Sequence, residues 1–332
     1  MKVYMVTWPN GYFGNSDKSW KSLNTQTIAN SIDYSVYIVS INEILNIKFD
    51  KHDVVILNCA LDESMRKYIK SIAYFLDKKC HIIPSYDLIL AYEDKGVQEL
   101  IKSEKNIGNL VGHYFFDIDD SNLEYPKVLK TISGAGSNGV YLVKNDSDLN
   151  SIRRKYFSND VKRKLIKAQR KLKLSKDQYK IYDYRFKGFN NFVEQKFIPN
   201  LDSDYKVLVF GDRYFVLKRS VRKNDFRASG SGLFEFVEAP IDVLEFALDI
   251  HKKLPNPVLS LDIAKSESGC HLIEFQATNF GPYTLLNAPY RYIFTEKKDR
   301  WYKEENCKNL ELNFAYAINW YIKNLNILKV YN

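Results

Sequence analysis

Four short runs rich in Val, Ile and Tyr fall within the first 90 residues: KVYMVTW (2–8), SVYIVSI (35–41), VVILNCA (54–60) and CHIIPS (80–85). Between the third and the fourth lies DESMRKYIKSIAYFLDKK (62–79). Its Met65, Ile69, Ile72 and Phe75 or Leu76 recur at helical spacing, and Asp62 is placed to cap the helix. Strand-like runs alternating with helical segments predict a small parallel α/β domain over residues 1–90. The loop from Gly11 to Ser16 follows the first strand. In open parallel sheets, loops at the carboxyl ends of strands are where ligands bind.

The pattern then changes. A helix over 93–103 precedes YPKVLKT (125–131), a glycine loop and VYLVKN (140–145), which predicts a second domain over 91–190. From 191 onward strands dominate, with helices at 241–253 and about 308–325, which predicts a third region over 191–332. The apolar share, 45%, excludes disorder for most of the chain. No apolar run approaches the roughly 20 residues of a membrane span. The N-terminus begins as a strand, without the apolar stretch and cleavage site of a signal peptide. The four cysteines form no CxxC. Zinc and disulfide scaffolds are therefore poor readings, and the expected location is the cytoplasm. The net charge of +9 is concentrated: residues 153–180 hold twelve Lys/Arg against Asp160 and Asp177, and the remainder is near neutral. A helical stripe of Val161, Leu165, Ala168 and Leu172 there is expected to face the protein body.

Gly134-Ala135-Gly136-Ser137-Asn138-Gly139 is a GxGxxG, but β-formers follow it where a dinucleotide fold needs a helix. It reads as a strand–loop–strand hairpin. Such a hairpin either offers backbone N–H groups to phosphate or is a surface loop. Lys130 sits four residues before it, on the feeding strand, either placed to neutralise phosphate charge or as an exposed strand lysine. Lys127, three residues earlier, faces the other side.

LSLDIAK (259–265) and CHLIEFQ (270–276) form a second hairpin. A three-residue loop of Glu267, Ser268 and Gly269 would set Ser266 against Cys270 and Asp262 against Glu274, with Gln276 on the same face. Leu261, Ile263, Ile273 and Phe275 would fill the opposite face. Two facing carboxylates call for a cation. Oxygen ligands beside phosphates suit Mg²⁺, and the other reading is a solvated polar face.

In this order the parts resemble the ATP-grasp superfamily, particularly its glutathione-synthetase-like branch with the ribosomal-protein glutamate ligases. Asp94-Lys95 is similar to the family's Asp-Lys pair. Lys130 is similar to its second nucleotide lysine, and Gly134, Gly136, Ser137, Asn138 and Gly139 to its glycine-rich lid. FVEQKFI resembles the adenine hinge, which implies roles for Glu194, Gln195, Lys196, Phe197 and Ile198. KRSVRKNDFR (218–227) resembles a Lys-Arg…Asp-Phe-Arg pattern of that branch. Asp262 and Glu274-Phe275-Gln276 resemble the metal-binding Asp and Glu-x-Asn, with Gln276 in place of Asn and Asn279 as a substitute amide. The resemblance implies an α/β fold of ATP-grasp type: the N-terminal domain followed by two α+β subdomains clamping ATP. It implies ATP and Mg²⁺ (or Mn²⁺) as cofactors, Lys95 and Lys130 on phosphates, and Arg219 and Arg227 on the transferring phosphoryl group, the alternative for the two arginines being surface ion pairs. Asp202 or Asp204 would take the ribose hydroxyls or cap a loop.

The implied activity is ATP-dependent ligation of a small-molecule carboxylate to an amine through an acyl phosphate, the acid being an amino acid, a peptide or an acidic sugar. Two alternatives are a kinase of a small hydroxylated metabolite on the same fold, and a non-enzymatic nucleotide- or polyanion-binding module. Nucleic acid is a poor partner, since Tyr156, Phe157, Tyr179 and Tyr182 only flank the basic run. The 153–180 segment reads either as a solvated helix face or as a docking surface for an acidic carrier or an anionic polymer.

Overall fold

The computed structural model describes every residue except 15–22, 135–138, 158–160, 186–190, 224, 296–299 and 329–332. It also describes the backbone alone at 119, 157, 161–164, 184–185 and 326–328. Contacts divide the chain into two compact units: residues 1–110 with 198–332, and residues 111–197.

Unit 1 opens with a parallel sheet of order β2-β1-β3-β4. Its strands are β1 (Val3–Thr7), β2 (Val36–Ser40), β3 (Val54–Ile56) and β4 (His81–Ile83). Helix α1 (Thr25–Asn30) follows β1, and α2 (Glu63–Leu76) joins β3 to β4. The Asp62 carboxylate accepts from the Met65 N–H at 2.9 Å, the expected cap. The pleat sends alternate residues of β1 into different cores. Val3 and Met5 pack with Phe210, Phe215, Phe314 and Ile318. Tyr4 and Val6 pack with Ile69, Ile72 and Leu76 of α2. Phe75 stays exposed, so Leu76 is the residue that completes the helical stripe. Two short helices follow, α3 (Tyr86–Leu90) and α4 (Lys95–Glu104), the second capped by Asp94 through the Val97 N–H at 3.0 Å.

Unit 2 is an antiparallel sheet of order β5-β8-β6-β7. It comprises β5 (Gly112–Phe115), β6 (Lys127–Thr131), β7 (Val140–Val143) and β8 (Phe192–Lys196). Three helices lie between β7 and β8: α5 (Asp146–Phe157), α6 (Val161–Lys173) and α7 (Lys176–Arg185). Ile152 of α5 packs with Leu129, Val143, Phe192 and Ile118.

The rest of unit 1 is a seven-stranded sheet. Its strands are β9 (Ser203–Phe210), β10 (Arg213–Ser220), β11 (Phe234–Glu235), β12 (Val258–Ser266), β13 (Gly269–Gln276), β14 (Tyr290–Thr295) and β15 (Arg300–Glu305). The order is β13-β12-β9-β10-β14-β15, with β11 on β10. Helix α8 (Ile241–Lys253) covers one face, packing Val243, Leu244, Ala247 and Ile250 on Val207, Leu259 and Leu261. A short α9 (Tyr283–Asn287) and the long α10 (Leu310–Leu328) serve the other, with Phe314 and Ile318 of α10 in the core shared with β1. That shared core is why the N-terminal sheet is part of unit 1. The sequence reading set boundaries near 90 and 190; the contacts put α4 with unit 1 and β8 with unit 2. All four cysteines are free thiols.

Candidate functional site

Three neighbouring strands of unit 1 bring charged side chains into register. Arg219 on β10 lies opposite Asp204 on β9, and Lys206, two residues along β9, lies opposite Asp262 on β12. Arg219 donates to Asp204 through Nε at 2.6 Å and Nη2 at 2.8 Å, and Nη2 reaches Asp262 Oδ2 at 3.0 Å. Lys206 Nζ donates to Asp262 Oδ1 at 2.9 Å. Arg219, Asp204 and Asp262 are buried. Burial works to raise the Asp262 pKa, yet Arg219 and Lys206 outweigh it and hold the carboxyl well below the usual carboxylate range. Burial and the neighbouring Asp262 charge raise Asp204, against Arg219. For Arg219, burial is likewise overcome by the two aspartates, which fix its positive charge.

The β12–β13 hairpin reaches the expected pairing by a different route. Its loop holds two residues, with Ser266 opposite Gly269 and Lys265 opposite Cys270. A bulge beside Asp262 absorbs the one-residue difference at Ile273 and sets Asp262 against Glu274 and Ser260 against Gln276. Leu272 therefore takes the core place expected for Ile273, which is only half-buried.

Among the described residues, no hydrogen bond or ion pair engages the Glu274 side chain, which faces the fully paired Asp262. Gln276 Nε2 donates to Glu93 Oε1 at 3.5 Å. Asn279 is buried in a left-handed backbone, φ 48°, and its Nδ2 donates to the Tyr92 hydroxyl at 2.8 Å. Its Oδ1 is buried without a hydrogen-bond partner among the described residues. Also among the described residues, no trio of His, Cys, Asp or Glu gathers into a metal cage. Two opposed carboxylates with an orphaned amide oxygen nearby in sequence fit Mg²⁺, which takes one or two carboxylates and keeps waters and substrate phosphates for the rest. Lys95 is buried in the first turn of α4, the helix that docks on β13 through the Phe275 N–H and Gln98 Oε1 at 3.4 Å.

In unit 2 the two lysines of β6 take opposite faces, as alternation requires. Lys127 turns to the side of Glu194: Lys127 Nζ lies 3.4 Å from Glu194 Oε2 and donates to Ser121 Oγ at 2.6 Å. Glu194 also accepts from Ser121 Oγ at 2.6 Å and from the N–H groups of Asn122 and Leu123. The Glu194 side chain is thus committed to holding the 121–123 loop, which leaves its backbone for any hinge role. Lys130 and Gln195, both buried, share the other face, with Gln195 opposite Val128 and Lys130 opposite Val193. Lys196 is exposed, and Phe197 and Ile198 are half-buried at the end of the segment. Lys130 pairs with Val140 across the β6–β7 hairpin, which confirms strand–loop–strand. Gly134 and Gly139 at its base have φ of 138° and 76°. Gly136, Ser137 and Asn138 lie outside the described residues.

Two of the expected site residues already hold ion pairs. Asp204 is buried and gives both oxygens to the Arg219 fork, whereas Asp202 is exposed and is the more accessible of the two to a ribose hydroxyl. Arg227 forms a fork with Asp225 at 2.9 Å through Nε and Nη2, and that contact pushes the Asp225 pKa down to about 2. Lys206 was missed by sequence reasoning, because a register between strands more than 50 residues apart is not written in either strand.

Known proteins share this architecture. The sequence profile of the TupA-like ATPgrasp family matches residues 76–212, from the end of α2 through β9. D-alanine–D-alanine ligase from Bacillus anthracis aligns over 100% of both chains with TM-score 0.53 and 13% identity, and its complex with ATP aligns equally. An ATP-grasp RimK domain protein from Sphaerobacter thermophilus aligns over 96% of this chain and 99% of its own, with TM-score 0.51 and 9% identity. D-cycloserine synthetase DcsG aligns over 97% and 100%, with TM-score 0.55 and 9% identity. No curated protein matches the sequence. The chain therefore has the ATP-grasp fold, and the superfamily resemblance seen in its motifs is borne out.

Proposed function

We propose that this chain is an ATP-dependent ligase that joins a small-molecule carboxylate to an amine through an acyl phosphate. The observation that carries the reading is the cross-strand set of Asp204, Arg219, Asp262 and Lys206, with the unengaged Glu274 facing Asp262. Fixed cations beside an uncommitted carboxylate, on a rigid sheet, suit phosphoryl chemistry, where positioning and charge stabilisation outweigh acid–base work. Ligase and synthetase neighbours of the same fold, one crystallised with ATP, support it.

Lys95, Lys130 and the backbone of the glycine hairpin would hold the ATP phosphates. The Glu194–Ile198 backbone would take adenine, and Asp202 the ribose. Asp262 and Glu274, with an amide oxygen of Gln276 or Asn279, would hold Mg²⁺ or Mn²⁺. The metal, when bound, would offset phosphate charge. A substrate carboxylate oxygen attacks the γ-phosphorus and ADP leaves; Arg219, and Arg227 after leaving Asp225, steady the transferred group. The amine nitrogen then attacks the acyl carbon, phosphate leaves, and the amine's proton passes to solvent.

The test supplies pools of amino acids, peptides and acidic sugars with Mg²⁺·ATP and hydroxylamine as a general amine. Hydroxamate forming together with ADP and free phosphate supports the ligase. ADP with a phosphorylated alcohol and no hydroxamate overturns it in favour of a kinase.

A further inference from the structure

Helix α6 faces the wrong way for a helix meant to pack on a protein body. At 100° per residue, Leu165, Ala168 and Leu172 share one side, while Lys167 and Arg170 lie on the other. The expectation that the apolar stripe packs inward is overturned at Leu165, Ala168 and Leu172, which are exposed; the Val161 side chain lies outside the described residues. The neighbour α7 meets the charged side, through Lys167 Nζ to Asp183 Oδ1 at 2.7 Å and the Arg170 guanidinium over the Tyr182 ring at 5.8 Å. The apolar side is left bare: Leu165 is 61% exposed and Leu172 89%. Lys171 and Lys173 flank this stripe on either side, both exposed. Across 153–180 the chain carries ten more positive charges than negative.

Those two features together select the occupant. A second copy of the chain would set a strongly basic face against its equal and be repelled. A soluble polyanion would satisfy the lysines but leave the leucines in water. An anionic lipid surface satisfies both, with headgroups against Lys and Arg and the leucines at the acyl boundary. We propose that α6 is an interfacial helix that docks this protein on anionic membranes. Among the described residues no helix is long and apolar enough to cross a membrane. The 13 residues of α6 suit lying in the interface plane.

The experiment is co-sedimentation of the full-length protein with phosphatidylcholine vesicles, with or without about 30 mol% phosphatidylglycerol, at low and high salt. Wild type should bind the anionic vesicles, spare the neutral ones, and release as salt rises. Leu165→Ser with Leu172→Ser leaves charge unchanged and should weaken binding at least about tenfold. Lys171→Gln with Lys173→Gln should weaken it about fivefold per lysine and flatten the salt dependence. All four positions are exposed, and circular dichroism checks that the variants stay folded. Absence of binding at low salt overturns the proposal. So does a leucine variant that binds anionic vesicles as wild type does, which would make the segment a simple polyanion site.

Discussion

Arg219 divides its guanidinium between two aspartates, so its removal leaves two buried carboxylates short of their cation. Arg219→Ala should cost about 3–5 kcal/mol of stability. Arg219→Lys keeps the charge but not the fork and should fold. It should still lose at least about a hundredfold in kcat if the arginine also steadies a transferring phosphoryl group. A lysine variant with wild-type turnover would reduce Arg219 to a structural cation. The resemblance found Arg219 in the sequence, but not its partner: the side a residue takes at the start of a strand flips with a one-residue change in where the strand begins. Asp204 stood at such a start. A second residue-scale prediction concerns His251, sealed in the core between α8 and β10. A carbonyl can only accept, so Nε2–H donates to the Asn256 carbonyl at 2.9 Å, and Nδ1 accepts from the Tyr214 hydroxyl at 3.1 Å. Burial lowers the His251 pKa below its ordinary value near 6.5. The unfolded chain therefore takes the proton first. Stability is full above about pH 6.5 and falls as pH drops from there toward the folded pKa, by at most about 1.4 kcal/mol per pH unit. Melting curves from pH 7.5 to 5.5 should show His251→Gln less stable at the top but with the shallower decline. Parallel declines would mean that the ring does not stay neutral on folding.

At the scale of elements, hairpins were legible and sheet orders were not. Alternation alone marked β6, β7, β12 and β13, and the pairing of Asp262 with Glu274 was right although the loop length behind it was not. A two-residue loop plus a bulge gives the same opposition as a three-residue loop without one, and a bulge has no signature in GCHLIEFQ. The place of β9 between β10 and β12 depends on packing across long connections, which local pattern does not encode. The polarity of α6 failed for a similar reason: a helical stripe shows that a helix is amphipathic, not which side its neighbour takes. The β6–β7 hairpin gives the element-scale prediction. Gly139 has φ 76°, and a Cβ there would strike the Thr131 side chain, whose Oγ1 donates to the Ser133 carbonyl at 2.9 Å. Gly139→Ala should destabilise the protein by about 1–3 kcal/mol, combining left-handed strain with the clash. Thr131→Ala added to it should recover the clash and leave the strain. KM for ATP, once turnover is assayable, should rise in the single variant. An unchanged melting point and KM in Gly139→Ala would show that the hairpin base has slack.

For the whole molecule, the order of weak motifs along the chain carried more than any single one. Asp-Lys before a hairpin, glycines within it, a hinge strand, an arginine and then paired carboxylates fixed the superfamily before any strand order was known. The structure adds that the carboxylates are not equivalent, since Asp262 is already neutralised by Lys206 and Arg219 while Glu274 has no partner among the described residues. A divalent cation would thus gain most from Glu274, and its removal should be felt as a loss of ligand-linked stability. A ligand that binds only the folded chain at one hundred times its Kd adds about 2.7 kcal/mol. For a chain of this size that is about 4 °C in melting temperature. Wild type should show that shift with Mg²⁺·ATP and a clearly smaller one with ATP and a chelator. Glu274→Gln removes charge without changing shape, so it should melt as wild type does in the absence of ligand. With ATP it should shift equally whether Mg²⁺ or chelator is present. Asp262→Asn should also lose the metal-dependent increment, but starting from a lower melting point, because Lys206 and Arg219 lose their shared anion. If Glu274→Gln keeps the full metal-dependent shift, the cation is held elsewhere and the unpaired carboxylate opposite Asp262 is a solvated edge of the sheet.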